Sequence, residues 1–336
     1  MTVSAEPGYR IVWDDFKNGF AVGAPGDADA LWFYYGFGPY VGDDGIVETS
    51  GDGLRVRSSG TNPSSGEPAF VRTLAQESEN GSGLPGTLEH VKWLAFTNRK
   101  ASSGVNGFDA EPGAVLTFET WMTGRTFGTA DHPFGEHVTN PDDDMRLASV
   151  GMPLLDEETS VIVDFFLSNE QVYVVYERLP FSRQQMGNYA AFVYQIPVAR
   201  RTPDQEHHFT ISYDRSAGLV RWLLDGTEVY TVDKIGCHLD AREHLMVDHG
   251  GDEVRVEPRQ LNAGMGMFAS LDYAAPGRTA LVRVSDTAGY YYSTETGPPA
   301  PQSFLDDKSL ETNRLFGQGA QIGVRRYVVS STPAGK

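Results

Sequence analysis

Residues 161–178 read VIVDFFLSNEQVYVVYER, two alternating runs of apolar side chains joined by a polar turn at 168–171. Alternation with a period of two around a short turn predicts an antiparallel β-hairpin. Successive side chains point to opposite faces of a strand, so Val161, Val163, Phe165 and Leu167 share one face. Because this face is strongly apolar, we expect it to lie in the core between two sheets.

The opposite face of the hairpin is mixed. A turn at 168–171 places Phe166 opposite Tyr173 and puts Asp164 and Glu177 on a diagonal, about 7–8 Å apart between Cα atoms. Two carboxyls in partly apolar surroundings suit acid–base catalysis, because burial raises the pKa of one while the other stays ionised. We therefore predict catalytic roles for Asp164, Glu177 and Tyr173 and a substrate contact for Phe166. Acidic residues on an outer sheet face are more often simply solvated or paired with arginine, and that interpretation stays open.

The rest of the chain has the composition of an all-β protein. It holds 37 Gly and 19 Pro among 336 residues, and turn signals separate short alternating runs, with no long helical periodicity. Long connections near 75–92, 124–145 and 236–262 suggest functional loops. We predict one β-sandwich domain over residues 1–336, with two antiparallel sheets and long loops.

Charge and cysteine content exclude several classes of partner. The formal charge is −18, from 45 acidic and 27 basic residues, which repels nucleic acid and anionic lipid surfaces. Cys237 is the single cysteine, so no internal disulfide can form, and the first thirty residues lack a secretory pattern. We expect a cytoplasmic protein that binds neither nucleic acid nor membranes and needs no cofactor.

Two stretches carry a resemblance to a known fold family. These are Trp13-Asp14-Asp15-Phe16 with Trp32 following, and the run from His208 through the turn Asp225-Gly226 to Val229. They resemble the concanavalin A-like and laminin-G jelly rolls, and the resemblance implies that a closing strand at 321–327 pairs near the first strand. The whole chain also resembles an actinobacterial family of unknown function, on the stretches 38–45, 176–181 and 314–320.

One departure from this superfamily bears on function. Laminarinase-like members carry two glutamates flanking an aspartate on one strand, and neither Glu-x-Asp-x-Glu nor Glu-x-Asp-x-x-Glu occurs in this chain. The resemblance therefore predicts the fold, and an ordinary retaining glucanase of that kind is disfavoured.

Further site candidates come from other alternating or aromatic runs. Glu119 and Trp121 lie on the polar face of a predicted strand and could join the carboxylate face as catalytic and substrate-binding residues. In the aromatic run 32–35, Trp32 and Tyr34 would share one face of a strand and could line a ligand cleft, although core packing is the more common reason for such a run. The loop from His132 to Asp144 contains two histidines and several carboxylates, but its spacing matches no zinc or calcium loop, so no metal is expected.

Two functional hypotheses follow. The first is a cytosolic enzyme of specialised metabolism, of cyclase, isomerase or lyase type, which uses carboxylate acid–base chemistry in an aromatic-lined concave cleft. The alternative is a carbohydrate-binding or glycoside-hydrolysing jelly roll. The expected ligand is accordingly a small molecule or a sugar.

Overall fold

A computed structural model of the chain describes residues 8–274, 277–294 and 298–335. The strands of these ranges, numbered in chain order, are β1 (Tyr9–Asp14), β2 (Trp32–Tyr34), β3 (Gly36–Phe37), β4 (Tyr40–Val41), β5 (Ile46–Ser50), β6 (Gly53–Arg57), β7 (Gly60–Thr61), β8 (Pro68–Ala69), β9 (Val91–Thr97), β10 (Phe108–Asp109), β11 (Ala114–Phe127), β12 (Ser149–Asp156), β13 (Val161–Leu167), β14 (Gln171–Arg178), β15 (Phe192–Arg200), β16 (His207–Asp214), β17 (Leu219–Leu224), β18 (Thr227–Val232), β19 (Leu245–Asp248), β20 (Gln260–Phe268), β21 (Ala280–Val282), β22 (Phe304–Asp306) and β23 (Gly319–Pro333). The helices are α1 (Arg183–Met186), α2 (Glu311–Arg314) and the 3₁₀ turns Gly86–His90, Thr129–Asp131, Gly135–His137, Pro141–Asp143 and Pro180–Ser182. Within the described ranges, none of these helices has the length and apolar character needed to cross a membrane.

Two large antiparallel sheets contain most of the strands. Sheet A has the order β18-β17-β16-β11-β23-β6-β5, with β1 also paired to β23. Sheet B has the order β19-β15-β14-β13-β12-β20-β9-β2, with β10 also paired to β20. This architecture confirms the predicted all-β sandwich of two antiparallel sheets. The pairing of β1 with β23 also confirms that the closing strand returns beside the first.

The hairpin β13–β14 has the register that the sequence predicts. Phe166 pairs with Tyr173, Asp164 with Val175 and Ile162 with Glu177. The face formed by Val161, Val163, Phe165 and Leu167 is buried between the two sheets, in one cluster with side chains of sheet A. Alternation therefore determines which side of this hairpin faces the core, at about 1.5–3 kcal/mol for each large apolar side chain that it buries.

The turn between β17 and β18 shows how local chemistry closes a hairpin. Asp225 and Gly226 both adopt positive φ, at 51° and 82°. Two consecutive left-handed residues match the twist of the strands that they join, and Asp-Gly is a favoured pair for this purpose. The predicted Asp225-Gly226 turn is thus present, and it leads back into the strand that holds Val229.

Candidate active site

A cleft of about 600 Å³ lies on the face of sheet B that points away from the core. Its floor consists of side chains from six neighbouring strands, β15, β14, β13, β12, β20 and β9, with β2 at the far edge. The loop at 269–274 crosses above this floor, since it leaves β20 and reaches β19, where the amide of Ala274 donates to the carbonyl of Met246 (2.8 Å). The cleft is therefore bounded by a sheet below and by a loop above.

The floor is divided into a polar half and an apolar half. In the polar half, neighbouring strands pair to form one row of residues: Gln195, Val175, Asp164 and Pro153. In the apolar half, Phe96 of β9 pairs with Phe33 of β2. Glu177 lies in the next row on β14, next to Asp164 on the diagonal. The hydrogen-bonding groups of the floor thus cluster on β13, β14 and β15, and the β20, β9 and β2 side is apolar.

Asp164 and Glu177 are the two buried carboxyls of the floor, only 2% and 7% exposed. Burial, followed by the charge of Glu177, raises the pKa of Asp164 well above its usual range, although the Leu154 amide that donates to its Oδ1 (3.2 Å) opposes the shift. Burial also raises the pKa of Glu177 to about 7, against the opposing charge of His90. Two like charges in one low-dielectric site cannot both ionise readily, so the pair retains a proton near neutral pH.

A second pair of titratable groups faces these carboxyls from the loop above. The Nε2 atom of His90 lies 2.6 Å from Oδ1 of Asp272, and the hydroxyl of Tyr291 donates to Oδ2 of Asp272 (2.6 Å). Burial disfavours the charged form of His90, but the Asp272 carboxylate outweighs it, and the pKa of His90 is raised. Burial likewise acts to raise the pKa of Asp272, but His90 and the Tyr291 hydroxyl reverse the effect and lower it. The two residues therefore form an imidazolium–carboxylate pair beside Glu177.

A neutral histidine completes the polar wall. His249 donates from Nδ1 to the carbonyl of Tyr290 (2.5 Å), which leaves Nε2 as the acceptor nitrogen. Burial lowers the pKa of His249 to about 4, partly opposed by that carbonyl. His90 and His249 thus border one cleft with pKa values shifted in opposite directions.

The backbone of Asp164 is held from the opposite sheet. The residue facing it in β12 is Pro153, which has no N–H to give to the ladder. The carbonyl of Asp164 accepts a hydrogen bond from the indole N–H of Trp222 in sheet A (2.9 Å), a side chain fully buried in the core. The position of Asp164 therefore depends on contacts with both sheets.

Two glycines leave room for aromatic rings on the cleft floor. A Cβ atom on Gly151 would lie 2.9 Å from the ring of Phe166, and one on Gly266 would lie 2.6 Å from the ring of Phe268. Without these Cβ atoms, the two rings pack against each other at 4.9 Å between centroids and cover the floor. Phe166 accordingly occupies the cleft, as the sequence predicts.

Three predicted site residues on β11 and β14 lie outside the cleft. Tyr173 shares the face of Asp164, but it lies beyond the cleft and donates to Oδ1 of Asp143 (2.9 Å). Glu119 and Trp121 lie on the outer face of sheet A, on the other side of the sandwich. There Glu119 forms ion pairs with Arg10 and His208, both at 3.1 Å. Alternation indicates which side of a strand a residue occupies, but not to which sheet the strand belongs.

The aromatic run 32–35 turns Phe33 and Tyr35 toward the cleft, not the predicted Trp32 and Tyr34. Trp32 is fully buried in the inter-sheet core, where its indole donates to Asp14 (2.8 Å). Tyr34 packs on the core side against Trp93, with its centroid 6.0 Å away, and it borders the cleft only at the edge. Phe33 and Tyr35 pack on the cleft side instead.

The acidic loop before β12 is held by internal hydrogen bonds. Asp142 accepts from Asn169, Asp143 from Ser168, and Asp144 forms an ion pair with Arg146 (2.6 Å). Across the described residues, no group of three or more His, Cys, Asp or Glu side chains is arranged to hold a metal ion. The arrangement of this loop is accounted for by contacts within the chain.

A second groove, of about 730 Å³, lies on sheet A between β5, β6, β11 and β23. Two of its three arginines are already paired, Arg125 with Asp204 at 2.9 Å and Arg325 with Glu206 at 2.6 Å. Exposed ion pairs of this kind contribute little energy and leave no buried titratable group free. The chemistry of the molecule is therefore concentrated in the cleft of sheet B, although the sheet A groove is larger.

Sequence comparison identifies the family. A family model described as "Family of unknown function (DUF6081)" matches residues 13–333. The chain belongs to this family. A relative of this DUF6081 protein is an uncharacterized protein of Acanthamoeba polyphaga mimivirus, 29% identical over 376 residues, which cover 84% of this chain and 81% of the viral one. The predicted family of unknown function is thus found, but its predicted actinobacterial character is not supported.

Solved structures similar to the DUF6081 chain have low identity. An endo-1,3-β-glucanase from Streptomyces sioyaensis matches with a TM-score of 0.44 and 12% identity, covering 99% of this chain and 100% of the other. A Crh5 transglycosylase in complex with NAG matches with a TM-score of 0.41 and 15% identity, covering 98% and 86%. The κ-carrageenase from Pseudoalteromonas carrageenovora matches with a TM-score of 0.39 and 12% identity, covering 98% and 97%.

These comparisons correct the main functional prediction. The proteins just described are named as a glucanase, a transglycosylase bound to NAG and a carrageenase, and the expected cyclase, isomerase or lyase of specialised metabolism is wrong. The alternative drawn from the sequence, a carbohydrate-binding or glycoside-hydrolysing jelly roll, is the better supported of the two.

Proposed function

We propose that the cleft of sheet B binds a neutral glycan and cleaves its glycosidic bond by acid–base catalysis between Asp164 and Glu177. The observation that carries this proposal is the pair of buried carboxyls on adjacent strands, with raised pKa values and room for a ligand above them. Most glycoside hydrolases use one carboxylic acid and one carboxylate that flank the scissile bond.

The two roles follow from the electrostatics. Asp164 is the more completely buried carboxyl and also faces the charge of Glu177, so it retains its proton and acts as the general acid. Glu177 has a pKa of about 7, because burial raises it, the charge of His90 lowers it, and the charge of Asp272 raises it. Glu177 therefore acts as the base or nucleophile at neutral pH.

The charge of the cleft indicates a neutral substrate. Glu157, Asp164, Glu177 and Asp272 all border it, and among the described lining residues there is no Lys or Arg. The whole chain adds a formal charge of −18. A uronate or sulfated glycan would meet these carboxyls, and the one cationic group beside them, His90, is already paired with Asp272. Hydrolysis or transfer on a neutral glycan is accordingly favoured over a lyase reaction.

The test is release of reducing ends from neutral β-glucans and chito-oligosaccharides, with alginate as the anionic comparison. We expect turnover on a neutral substrate only, and a loss of at least about 100-fold in Glu177→Gln and in Asp164→Asn. Glu111→Gln, which changes an exposed glutamate in the turn before β11, is the matched control and should be unaffected. Undiminished turnover in both cleft variants would show that these carboxyls are not the catalytic pair.

A further inference from the structure

The apolar half of the cleft has a composition that a glycan alone does not explain. Leu94 and Phe96 of β9, Phe33 of β2 and Phe268 of β20 form one cluster with Phe166. Phe33 and Phe96 lie 6.1 Å apart between ring centroids, and Phe166 and Phe268 lie 4.9 Å apart. These side chains are closely packed into a continuous apolar floor that borders the open cleft.

A sugar ring would be poorly solvated on this floor. Pyranose rings carry hydroxyls on most of their carbons, and a buried hydroxyl without a partner costs on the order of 1–3 kcal/mol. The leucine and phenylalanine side chains of this cluster have no hydrogen-bonding atom. Gln195, Glu177 and Asp164, by contrast, lie together in the polar half. A ligand that fills both halves therefore needs a polar part with hydrogen-bonding groups and an apolar part without them.

We propose that the substrate is a neutral amphiphilic glycoside, with its sugar above Asp164 and Glu177 and an alkyl or aryl aglycone on the apolar half. This inference rests on the proposed glycosidic cleavage and specifies its substrate class. An apolar chain with a carboxylate or phosphate head would meet the cleft carboxylates without any Lys or Arg among the described lining residues. A sugar head supplies hydroxyl donors, which the carboxylates and the Nε2 atom of His249 accept.

The exposed rim agrees with this assignment. Phe181, at the 3₁₀ turn that follows β14, borders the cleft with 60% of its surface exposed. A large exposed aromatic side chain at the mouth of a cleft is typical of a contact with an apolar group. The cleft volume of about 600 Å³ also lies in the range of sites for a single compact ligand.

Binding of methyl, hexyl and octyl 1-thio-β-D-glucopyranoside to the native protein, each below its micelle concentration, tests the inference by calorimetry, because the thioglycosidic bond resists hydrolysis. We expect affinity to rise about fourfold for each added methylene until the apolar half is filled. Equal affinity for the methyl and octyl compounds would overturn the proposal. So would equal binding of 1-octanol and octyl thioglucoside, because the sugar would then contribute nothing.

A pair of variants locates the aglycone. Phe33→Asn places an amide on the apolar floor and should abolish the gain in affinity from the methyl to the octyl compound. Phe37→Asn, at a half-exposed phenylalanine outside the cleft, is the matched control and should bind like the native protein. If Phe33→Asn does not fold, the chain-length series on the native protein still tests whether the cleft binds an alkyl aglycone. Because binding is measured without turnover, loss of the proposed catalysis and loss of the proposed aglycone site give separate results.

Discussion

Glu177→Gln should make the protein less sensitive to alkaline pH. Glu177 is almost fully buried, and burial raises its pKa from an ordinary value of 4.5 to about 7. The folded state therefore binds this proton more tightly than the unfolded state does. The stabilisation from Glu177 is complete below pH 4.5 and is lost as the pH rises through 7.

The size of the effect follows from the shift. At about 1.4 kcal/mol for each pKa unit, the rise from 4.5 to about 7 corresponds to about 3 kcal/mol, most of which falls between pH 5 and pH 8. Glutamine has no proton to lose in this range, so the variant lacks this contribution. The stability of the native protein should thus fall by about 2–3 kcal/mol more than that of Glu177→Gln over the same interval.

Urea unfolding at pH 5 and pH 8 measures this difference directly. The free energy of unfolding is compared among the native protein, Glu177→Gln and the exposed-site control Glu111→Gln. The gap between the native protein and Glu177→Gln should change with pH, and the gap to Glu111→Gln should stay constant. A constant gap to Glu177→Gln would refute the argument that burial controls the charge of this carboxyl.

Three other outcomes are expected. Asp272→Asn removes the charge that keeps His90 protonated, so the His90 pKa should fall in an NMR titration; an unchanged value would contradict the imidazolium–carboxylate pair. Phe165→Ala should lower the free energy of unfolding by about 3–5 kcal/mol, whereas Leu305→Ala, at an exposed position, should change it by less than about 0.5 kcal/mol. Glu119→Gln should cost at most about 1 kcal/mol and leave glycan turnover intact, and a loss of turnover would place Glu119 back in the site.

The hairpin at 161–178 could be predicted because its local pattern determines both its turn and its register. Alternation assigned the core face, and a turn at 168–171 assigned the partner of each residue. Tyr173 was placed on the correct face, but the extent of the cleft along that face depends on loops far away in the sequence. Its hydrogen bond to Asp143 is one such contact, and no local pattern reports it.

The rest of the site depends on contacts between distant segments. His90 and Asp272 are separated by 182 positions. Both lie between strands, where the sequence has no alternating pattern from which a face could be predicted. In the aromatic run 32–35 every position is apolar, so alternation cannot indicate whether Trp32 or Phe33 faces the core. A signal was available in retrospect: Asp14 in the first strand pairs with the indole of Trp32, which is how a buried tryptophan satisfies its N–H.

The hydrogen bond from Trp222 of sheet A to the carbonyl of Asp164 in sheet B makes the position of the Asp164 carboxyl depend on how the two sheets are aligned. A small slide of sheet A over sheet B would move the acid before any strand separated. Catalytic competence should then report on alignment of the sandwich as well as on its intactness. Transplanting the 161–178 hairpin into another jelly roll would carry the two carboxyls across, but would leave behind the tryptophan that positions one of them.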